Sequence, residues 1–446
     1  MPAPPTTIAP HKPGGLLERW FKLTENETTV RQELLGGLTT FITMAYIVVV
    51  NAQILSQAGM PAEGVVFATC VSAAAATLVM GLYANYPIAL APGMSLNAYF
   101  TYSVCLGMHV PWQTALGVVF ISGVVFILIT VTRVREQIVN GIPDCLKHST
   151  AAGIGIFIAF IGMRNAGLVV ANPATFLGLG SFADRGAQAA CFGILLTAAL
   201  LAGKVHGGVL LGIVGTMLFG IVRGNVHLPG AFISMPNPSG TLLRLDLRGA
   251  VHLGLFEIIF AFLFVDLFDN IGTLMGVCEQ AGFVKDGKIP RVGRVLLADG
   301  VGTVLGSLTG TSTVTSYVES AAGVAVGART GLSNLMVAAL FVLALFFSPL
   351  ATSIPAFATA PALVVVGGLM MQSVARVEWQ DFSEAFPAFV TAVAMPLTFS
   401  IATGLSFGVI TYTVVKVTAR RSREVSGVMW VLTVVFVLRD VYLAVR

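Results

Sequence analysis

Long apolar stretches recur along this 446-residue chain, and they restrict its fold more than any other feature. A membrane core of about 30 Å needs about 20 helical residues per crossing. In that environment only helices and closed barrels satisfy every backbone hydrogen bond. Charged residues make up 10% of the chain, whereas soluble domains contain about 25%, so a soluble enzyme and a nucleic-acid-binding protein are both excluded. The sequence therefore predicts an all-α polytopic membrane protein.

Fourteen apolar segments can be assigned as crossings. They cover residues 34–54, 65–84, 88–107, 112–131, 148–170, 188–203, 207–222, 253–277, 294–309, 312–326, 332–350, 358–373, 385–400 and 402–417. A last apolar stretch, 427–445, carries Arg439 and Asp440. It could be an interfacial helix or a fifteenth crossing, and the alternation of charge favours the interface.

The distribution of lysine and arginine predicts the orientation. With the N-terminus in the cytoplasm, the inside segments hold 18 of these residues and the outside segments hold five. This bias agrees with the positive-inside rule. The first 15 residues contain no apolar stretch, so we expect no cleavable signal. The sequence predicts a multi-pass protein of the plasma (inner) membrane with a cytoplasmic N-terminus.

The fourteen segments divide into two sets of seven, and an odd number in each set makes the second half inverted relative to the first. The expected units are a cytoplasmic N-terminus (1–30), a first repeat (31–222), an extracytoplasmic connection (223–252), a second repeat (253–417) and a cytoplasmic or interfacial tail (418–446).

Segments three and ten are unusual at matching positions, because each contains a turn-rich or β-branched stretch, 87–97 or 310–320, before a helix-like run. Inverted repeats with two broken segments are typical of secondary transporters. Ordinary glycine and proline kinks are the alternative.

Carboxylates deep in apolar sequence are candidates for function, because a charge inside a membrane is costly. Asp266 and Asp269 are three residues apart, so they share one helix face. Two close carboxylates cannot easily both be charged at a site of low dielectric constant, which suits a proton carrier at neutral pH. For Asp266 the alternative is that it only accepts N–H bonds from a neighbouring broken segment.

Three further polar residues lie within apolar segments. Glu319 is expected at the start of a half-helix, where the helix dipole favours an anion; the alternative is a plain helix cap. Asn97 follows the turn in segment three and is either a ligand contact or an interhelical hydrogen bond. Asp299 lies beside glycines and is expected to be structural.

Motifs for other activities are absent from the sequence. We find no ATP-binding loop, no HExxH zinc motif and no catalytic Ser/His/Asp set, so no metal, no cofactor and no enzymatic activity is expected. The cysteines have no metal-binding spacing and are interpreted as small buried apolar residues. They are Cys70, Cys105, Cys145, Cys191 and Cys278.

Four stretches of sequence resemble the AzgA-like purine permeases, which belong to the nucleobase–cation symporter family. They are GGLTTFITMAYI (36–47), APGMSLNAYF (91–100), FVDLFDNIGTL (264–274) and ADGVGTVLGSLTGTSTVTSYVESAAGV (298–324). The resemblance extends from about residue 20 to the tail. It implies import of adenine, guanine and/or hypoxanthine with protons.

The same resemblance implies the nucleobase–ascorbate transporter fold. In that fold, segments 1–4 and 8–11 form a core domain, segments 5–7 and 12–14 form a gate domain, and short strands in segments 3 and 10 frame the substrate. It further implies a possible homodimer in the lipid bilayer.

The family pattern also implies the site. Asn97, Asp266, Asp269 and Glu319 would bind the purine, and the three acids would serve in proton coupling. Sodium coupling is one alternative. An anion exchanger or channel on the same fold is less favoured, because acids line the site and only about 30 residues follow the last crossing. The motifs do not distinguish an adenine transporter from a guanine/hypoxanthine transporter.

Overall fold

The computed structural model describes residues 15–445, apart from 133–140, 225, 227–229, 253–255 and 285–288. The side chains of residues 252, 256–257, 268, 271 and 442–445 are also outside this description. Residues 1–14 of the expected N-terminal unit and the first three residues of the expected segment 253–277 therefore lie outside the described residues.

Helices form most of the described chain. In the first half they are α1 (Leu16–Phe21), α2 (Val30–Met44), α3 (Tyr46–Ser56), α4 (Ala62–Val79), α5 (Met94–Ala98), α6 (Trp112–Thr132), α7 (Asp144–Asn165), α8 (Arg185–Ala202) and α9 (Gly208–Val222). Wider π-helical turns extend α4 over Met80–Ala84 and α5 over Tyr99–Gly107.

The second half is also mostly helical. Its helices are α10 (Leu247–His252), α11 (Phe256–Gln280), α12 (Val292–Thr309), α13 (Ser320–Val326), α14 (Leu332–Ala344), α15 (Ser348–Ser353), α16 (Ala356–Met370), α17 (Phe382–Thr398), α18 (Ile401–Thr418) and α19 (Gly427–Val445). Short 3-10 turns lie at Pro238–Gly240, Met371–Arg376 and Ser422–Glu424.

Within the described ranges, four short strands form two separate ribbons. They are β1 (Leu90–Pro92), β2 (Val169–Asn172), β3 (Phe176–Leu179) and β4 (Val314–Ser316). The buried strands β1 and β4 pair antiparallel, with Ala91 opposite Thr315 at the centre. They lie in segments three and ten, so the predicted strands in these two broken segments are confirmed. The other ribbon, β2–β3, is a hairpin after α7 that was not predicted.

The membrane segments agree with the sequence prediction. Within the described residues, nine helices are long and apolar enough to cross a membrane, and three shorter apolar helices accompany them. Together with the two broken segments, these helices occupy the positions of the fourteen predicted segments. The chain is thus a mostly helical, multi-pass membrane protein.

The first segment, expected over 34–54, consists of two helices. It begins earlier, at a capping box on Thr29, and it is divided at Ala45 between α2 and α3. No glycine or proline marks this point, so the break was not predictable from the residues around it. The division matters because Tyr46, the first residue of α3, is fully buried and its hydroxyl reaches Glu319.

Two threonine hydroxyls hold the central strands in equivalent ways. Thr77 Oγ1 at the end of α4 donates to the carbonyl of Leu90 and accepts from its N–H, each at 3.0 Å. Thr303 Oγ1 in α12 donates to the carbonyl of Val314 at 3.0 Å. Buried backbone groups need such partners where a strand is only three residues long.

Candidate functional site

The two broken segments start their half-helices at one point in the interior. The N–H of Gly93, just before α5, donates to the carbonyl of Thr313 at 3.0 Å. A Cβ at Gly93 would lie 2.6 Å from the Thr315 methyl group, so only glycine permits this close approach. The starts of α5 and α13 therefore lie on either side of the β1–β4 ribbon, where helix dipoles favour negative charge.

Glu319 occupies the cap position of α13, but its side chain makes no capping hydrogen bond. Its Oε1 instead accepts from the hydroxyl of Tyr46 at 2.5 Å. Its carbonyl accepts from Thr43 Oγ1 at 3.4 Å. As a whole residue Glu319 is partly exposed, and the neighbouring Val318 is 56% exposed. Glu319 therefore borders an accessible space, and the geometry does not support a plain helix cap.

Asp266 and Asp269 lie one turn apart on α11, as their spacing predicted. Asp269 Oδ2 accepts from Ser95 Oγ of α5 at 3.0 Å. The helix α11 also packs against β4 and α13, the two elements on either side of Glu319. Asp266 is 2% exposed, whereas Asp269 is partly exposed. Of the two, Asp269 is the acid that the fold brings to Glu319 and to the starts of the half-helices.

Asn97 lies in α5 and is fully buried. Its Oδ1 accepts from the hydroxyl of Ser312, so an interhelical hydrogen bond is present. Its Nδ2 has no hydrogen-bond partner among the described residues. The side chain therefore has one half committed to structure and one half available to a ligand.

Three hydroxyl groups near the β1–β4 ribbon also lack a hydrogen-bond partner among the described residues. The hydroxyls of Thr313, Thr315 and Ser316 are buried and have no hydrogen-bond partner in the described part of the chain. Buried polar groups are normally paired. A concentration of such groups at one strand indicates a site that receives water or a polar ligand.

The site is acidic, and the described residues supply no cation bonded to its acids. Across the described residues, neither Asp269 nor Glu319 forms a hydrogen bond or ion pair with lysine, arginine or histidine. Each carboxylate is instead held by a neutral hydroxyl from the first half of the chain. Buried charge without a counter-charge is costly, so this arrangement favours the binding of a proton, a cation or a ligand rich in N–H groups.

One face of α11 changes from buried to exposed along the helix. Phe262, Val265, Asp269, Gly272 and Gly276 are spaced by three or four residues and share this face. The first two are buried, Asp269 is partly exposed, and the two glycines are exposed with no described heavy atom within 4 Å of an added Cβ. The exposed part of this face therefore lies between Asp269 and the Gln280 end of the helix.

On the side of the site away from Gln280, a hydrogen bond and ring contacts join neighbouring segments. Ser103 Oγ, at the end of segment three, donates to the carbonyl of Phe399 between α17 and α18 at 2.6 Å. The ring of Phe399 meets those of Phe157 and Phe160 in α7 edge to face, with centroids 5.8 and 5.2 Å apart.

A surface pocket of about 640 Å³ lies elsewhere, beside Arg164, Arg185 and Phe357, and it shares no residue with this site. Among the described residues, no group of three or more histidine, cysteine or acidic side chains could hold a metal ion.

Sequence reasoning missed three residues that shape the site: Tyr46, Ser95 and Ser312. All three fall within the stretches 36–47, 91–100 and 298–324 that were singled out, so their position was a usable signal. For Tyr46 the signal was weak, because a tyrosine is ordinary in a long apolar run. Its contact with Glu319 joins residues 273 positions apart and depends on the tertiary fold.

The comparisons with known proteins agree on one family. The sequence profile of the Permease family, Xan_ur_permease, matches residues 31–407. The chain is 44% identical to the adenine permease AdeP of Escherichia coli over 96% of this chain and 97% of that protein. It is 42% identical to the guanine/hypoxanthine permease PbuO of Bacillus subtilis over 94% and 99% of the two chains.

Solved structures show the same fold at low sequence identity. The transmembrane domain of the cyanobacterial bicarbonate transporter BicA matches with a TM-score of 0.65 and 17% identity, covering 84% of this chain and 97% of that chain. This chain therefore belongs to the Permease family: it is a multi-pass membrane permease and not an enzyme, and its relatives are named as adenine and guanine/hypoxanthine permeases.

Proposed function

We propose that this chain imports purine nucleobases (adenine, guanine and/or hypoxanthine) in symport with protons. The observation that carries the proposal is the meeting of Asp269 and Glu319 at the broken segments, each held by a hydroxyl donor. Carboxylates accept hydrogen bonds from the N–H edges of a purine, and Asn97 Nδ2 can donate to its carbonyl or ring nitrogen. The names of the relatives support the same substrate class.

Proton coupling is supported by the charge balance of the site. Two interacting carboxylates are less costly when one of them carries a proton. Asp266, Asp269 and Glu319 are the groups we assign to this step. Sodium coupling is the alternative, and a bound cation would relieve the same excess of charge.

The expected domains form part of the proposal. We assign segments 1–4 and 8–11 to a core domain and segments 5–7 and 12–14 to a gate domain, as two inverted repeats. Matched contacts support the repeats, since Thr77 and Thr303 hold the two strands alike. The domain assignment is further supported by two pairs of glycines whose backbones contact each other between the halves. These pairs are Gly81 with Gly331 and Gly155 with Gly367.

Two features support a state of the transporter that is open towards the cytoplasm. They are the exposed glycines on α11 and the contacts that Phe399 makes with segment three and α7. In the proposed orientation, the Gln280 end of α11 lies at the inner side of the plasma membrane, as does the N-terminus. A homodimer, as the family resemblance implies, is also part of the proposal.

Anion exchange is the competing activity on this fold, because the structural neighbours include a bicarbonate transporter. That likeness concerns the fold alone. An anion placed beside Asp269 and Glu319 would face like charge, which costs several kcal/mol in a buried site. The purine proposal avoids this cost.

The test is uptake of labelled adenine, guanine and hypoxanthine by a strain that lacks its own purine permeases. We expect concentrative uptake of at least one base, loss of accumulation with a protonophore, and no change when sodium is replaced by potassium. Glu319→Gln should abolish uptake, because the amide loses an acceptor and the charge. Glu378→Gln, at an exposed acid, serves as the matched control.

Three results would contradict the proposal. Uptake that requires sodium would establish the sodium-coupled alternative. Exchange of bicarbonate or sulfate without purine uptake would favour the anion exchanger. Normal purine affinity in Glu319→Gln would show that the site has been placed wrongly.

A further inference from the structure

We propose that α19 is a fifteenth membrane crossing that returns alongside α18, so that the two ends of the chain lie on opposite sides of the membrane. This replaces the expectation of a cytoplasmic or interfacial tail for residues 418–446. The inference does not depend on the transported substrate, because it rests on the packing of two helices.

The first observation is the antiparallel register of α18 and α19. Thr413 and Thr433 share a hydrogen bond of 2.7 Å between their hydroxyls. Seven residues away on each helix, Ser406 Oγ donates to Asp440 Oδ2, also at 2.7 Å. The helices therefore run side by side over at least two turns, or about 10 Å. Since α18 is a candidate span, its neighbour lies at the same depth.

The second observation is the distribution of side chains around α19. Met429, Leu432 and Phe436 are buried at helical spacing, and the ring of Phe436 meets that of Phe260 in α11 with centroids 5.5 Å apart. Over 427–441, where the side chains of this helix are described, the exposed ones are all large and apolar: Trp430, Val431, Val434, Val437, Leu438 and Val441.

This distribution is the reverse of an interfacial helix, which turns a polar face to water and its apolar face to the membrane. In α19, Thr433 and Asp440 point towards α18, while the outward face is apolar. Such a face is favourable only against the hydrocarbon of the bilayer. The occupant of the surface is therefore lipid acyl chains.

The charged pair that favoured an interfacial location has a structural explanation. Arg439 Nη1 donates to Asp440 Oδ1 at 3.0 Å, and the Arg439 side chain is only 9% exposed. Ser406 supplies a further donor to Asp440. Charges inside membranes pair in this way and face the protein interior, so the pair is compatible with a crossing.

The length of α19 and the charges that precede it are also consistent with a membrane crossing. The 19 residues of α19 span about 28 Å at 1.5 Å per residue, close to the thickness of the hydrocarbon core. Arg420, Arg421 and Arg423 lie just before the helix, and such a cluster favours the cytoplasmic side. The helix then leads outward, and the chain ends outside.

Cysteine labelling of the full-length chain tests the topology. In a variant whose five native cysteines are replaced by alanine, Ser422→Cys and Arg446→Cys flank the helix. We expect a membrane-impermeant maleimide to label the two positions from opposite sides, one in intact cells and the other in inverted vesicles. Labelling of both from the same side would overturn the proposal.

Two further measurements keep the test decisive if labelling is weak. Alkaline phosphatase fused after residue 446 should be active outside the cell, and an inactive fusion at normal expression would contradict the crossing. The pair Thr413→Cys and Thr433→Cys should form a disulfide under mild oxidation. Thr413→Cys with the outward-facing Val434→Cys is the matched control and should not. Equal crosslinking of both pairs, or of neither, would refute the packing.

Discussion

The hydroxyl of Tyr46 is one atom on which the position of Glu319 depends, and its removal is the first prediction. Tyr46→Phe leaves a buried carboxylate oxygen without its donor at 2.5 Å. Loss of a hydrogen bond to a charged group costs about 1–3 kcal/mol, so purine affinity should fall about 5- to 150-fold. Calorimetric titration of the purified protein measures this. Tyr83→Phe, at an exposed tyrosine, is the control; affinity unchanged in both variants would show that Tyr46 does not hold the site.

The two halves of the Asn97 amide can be separated by a pair of variants. Ser312→Ala removes the hydroxyl that bonds Oδ1 and should lower the melting temperature of the ligand-free protein, with the order of preference among purines unchanged. Asn97→Ala removes Nδ2 as well and should alter that order, because this group distinguishes a carbonyl from an amino group. A melting series with adenine, guanine and hypoxanthine measures both. Identical effects of the two variants would make Asn97 purely structural.

At the scale of the helices, Gly276 and Gly155 both lie within apolar segments, but only one of them has space for a larger side chain. Gly276 of α11 has open space around it, so Gly276→Ala should stabilise the helix by about 0.5–1 kcal/mol. At Gly155 of α7, a Cβ would lie 2.7 Å from the carbonyl oxygen of Gly367. Gly155→Ala should therefore destabilise by about 1–3 kcal/mol through overpacking. Thermal unfolding in detergent compares them, and the same sign for both would contradict the helix packing described above.

The start of α17 is tied to the turn after α18 by an ionic contact outside the membrane segments. Arg421 Nη1 lies 2.5 Å from Asp381 Oδ2, and this bond, with help from Ser383, lowers the pKa of Asp381 to about 2. Because the folded-state pKa is depressed, the stabilisation is present above the usual value of 3.8 and is lost as the pH falls from there to about 2. The melting temperature of the wild type should fall more over this range than that of Asp381→Asn. Parallel curves would show that the contact contributes nothing.

Across the whole molecule, transport requires that binding and proton movement be coupled, and the two acids of α11 should contribute differently. Asp269 is partly exposed and bonded to Ser95, so Asp269→Asn should mainly lower affinity. Asp266 is buried, so Asp266→Asn should bind purine but fail to concentrate it. Binding assays paired with uptake into energised vesicles distinguish these effects. Equal, partial losses of affinity with intact coupling in both would exclude the pair as the proton carrier.

Much of this architecture follows from local sequence. Hydrophobic length located the fourteen segments, and turn-rich or β-branched stretches located the two broken ones, since these signals belong to neighbouring residues. The strands within those two segments were expected only from the family resemblance. The contacts of Tyr46 with Glu319 and of Ser95 with Asp269 were not predictable, because each joins residues far apart in the chain. The packing of α19 shows the same limit: the sequence contains Arg439 and Asp440, but only the fold shows that they pair and turn towards α18.

The three-residue ribbon of β1 and β4 has a consequence for any division of the chain. In the described residues neither strand has a partner strand within its own half, and the buried N–H and carbonyl groups that a threonine does not reach require one. A chain cut in the connection 223–252 would thus yield two fragments, each with an open strand edge at its centre and only part of the ligand contacts. Neither fragment could bind on its own, but their co-expression could restore the ribbon and the site with it. The smallest functional unit is the pair of halves.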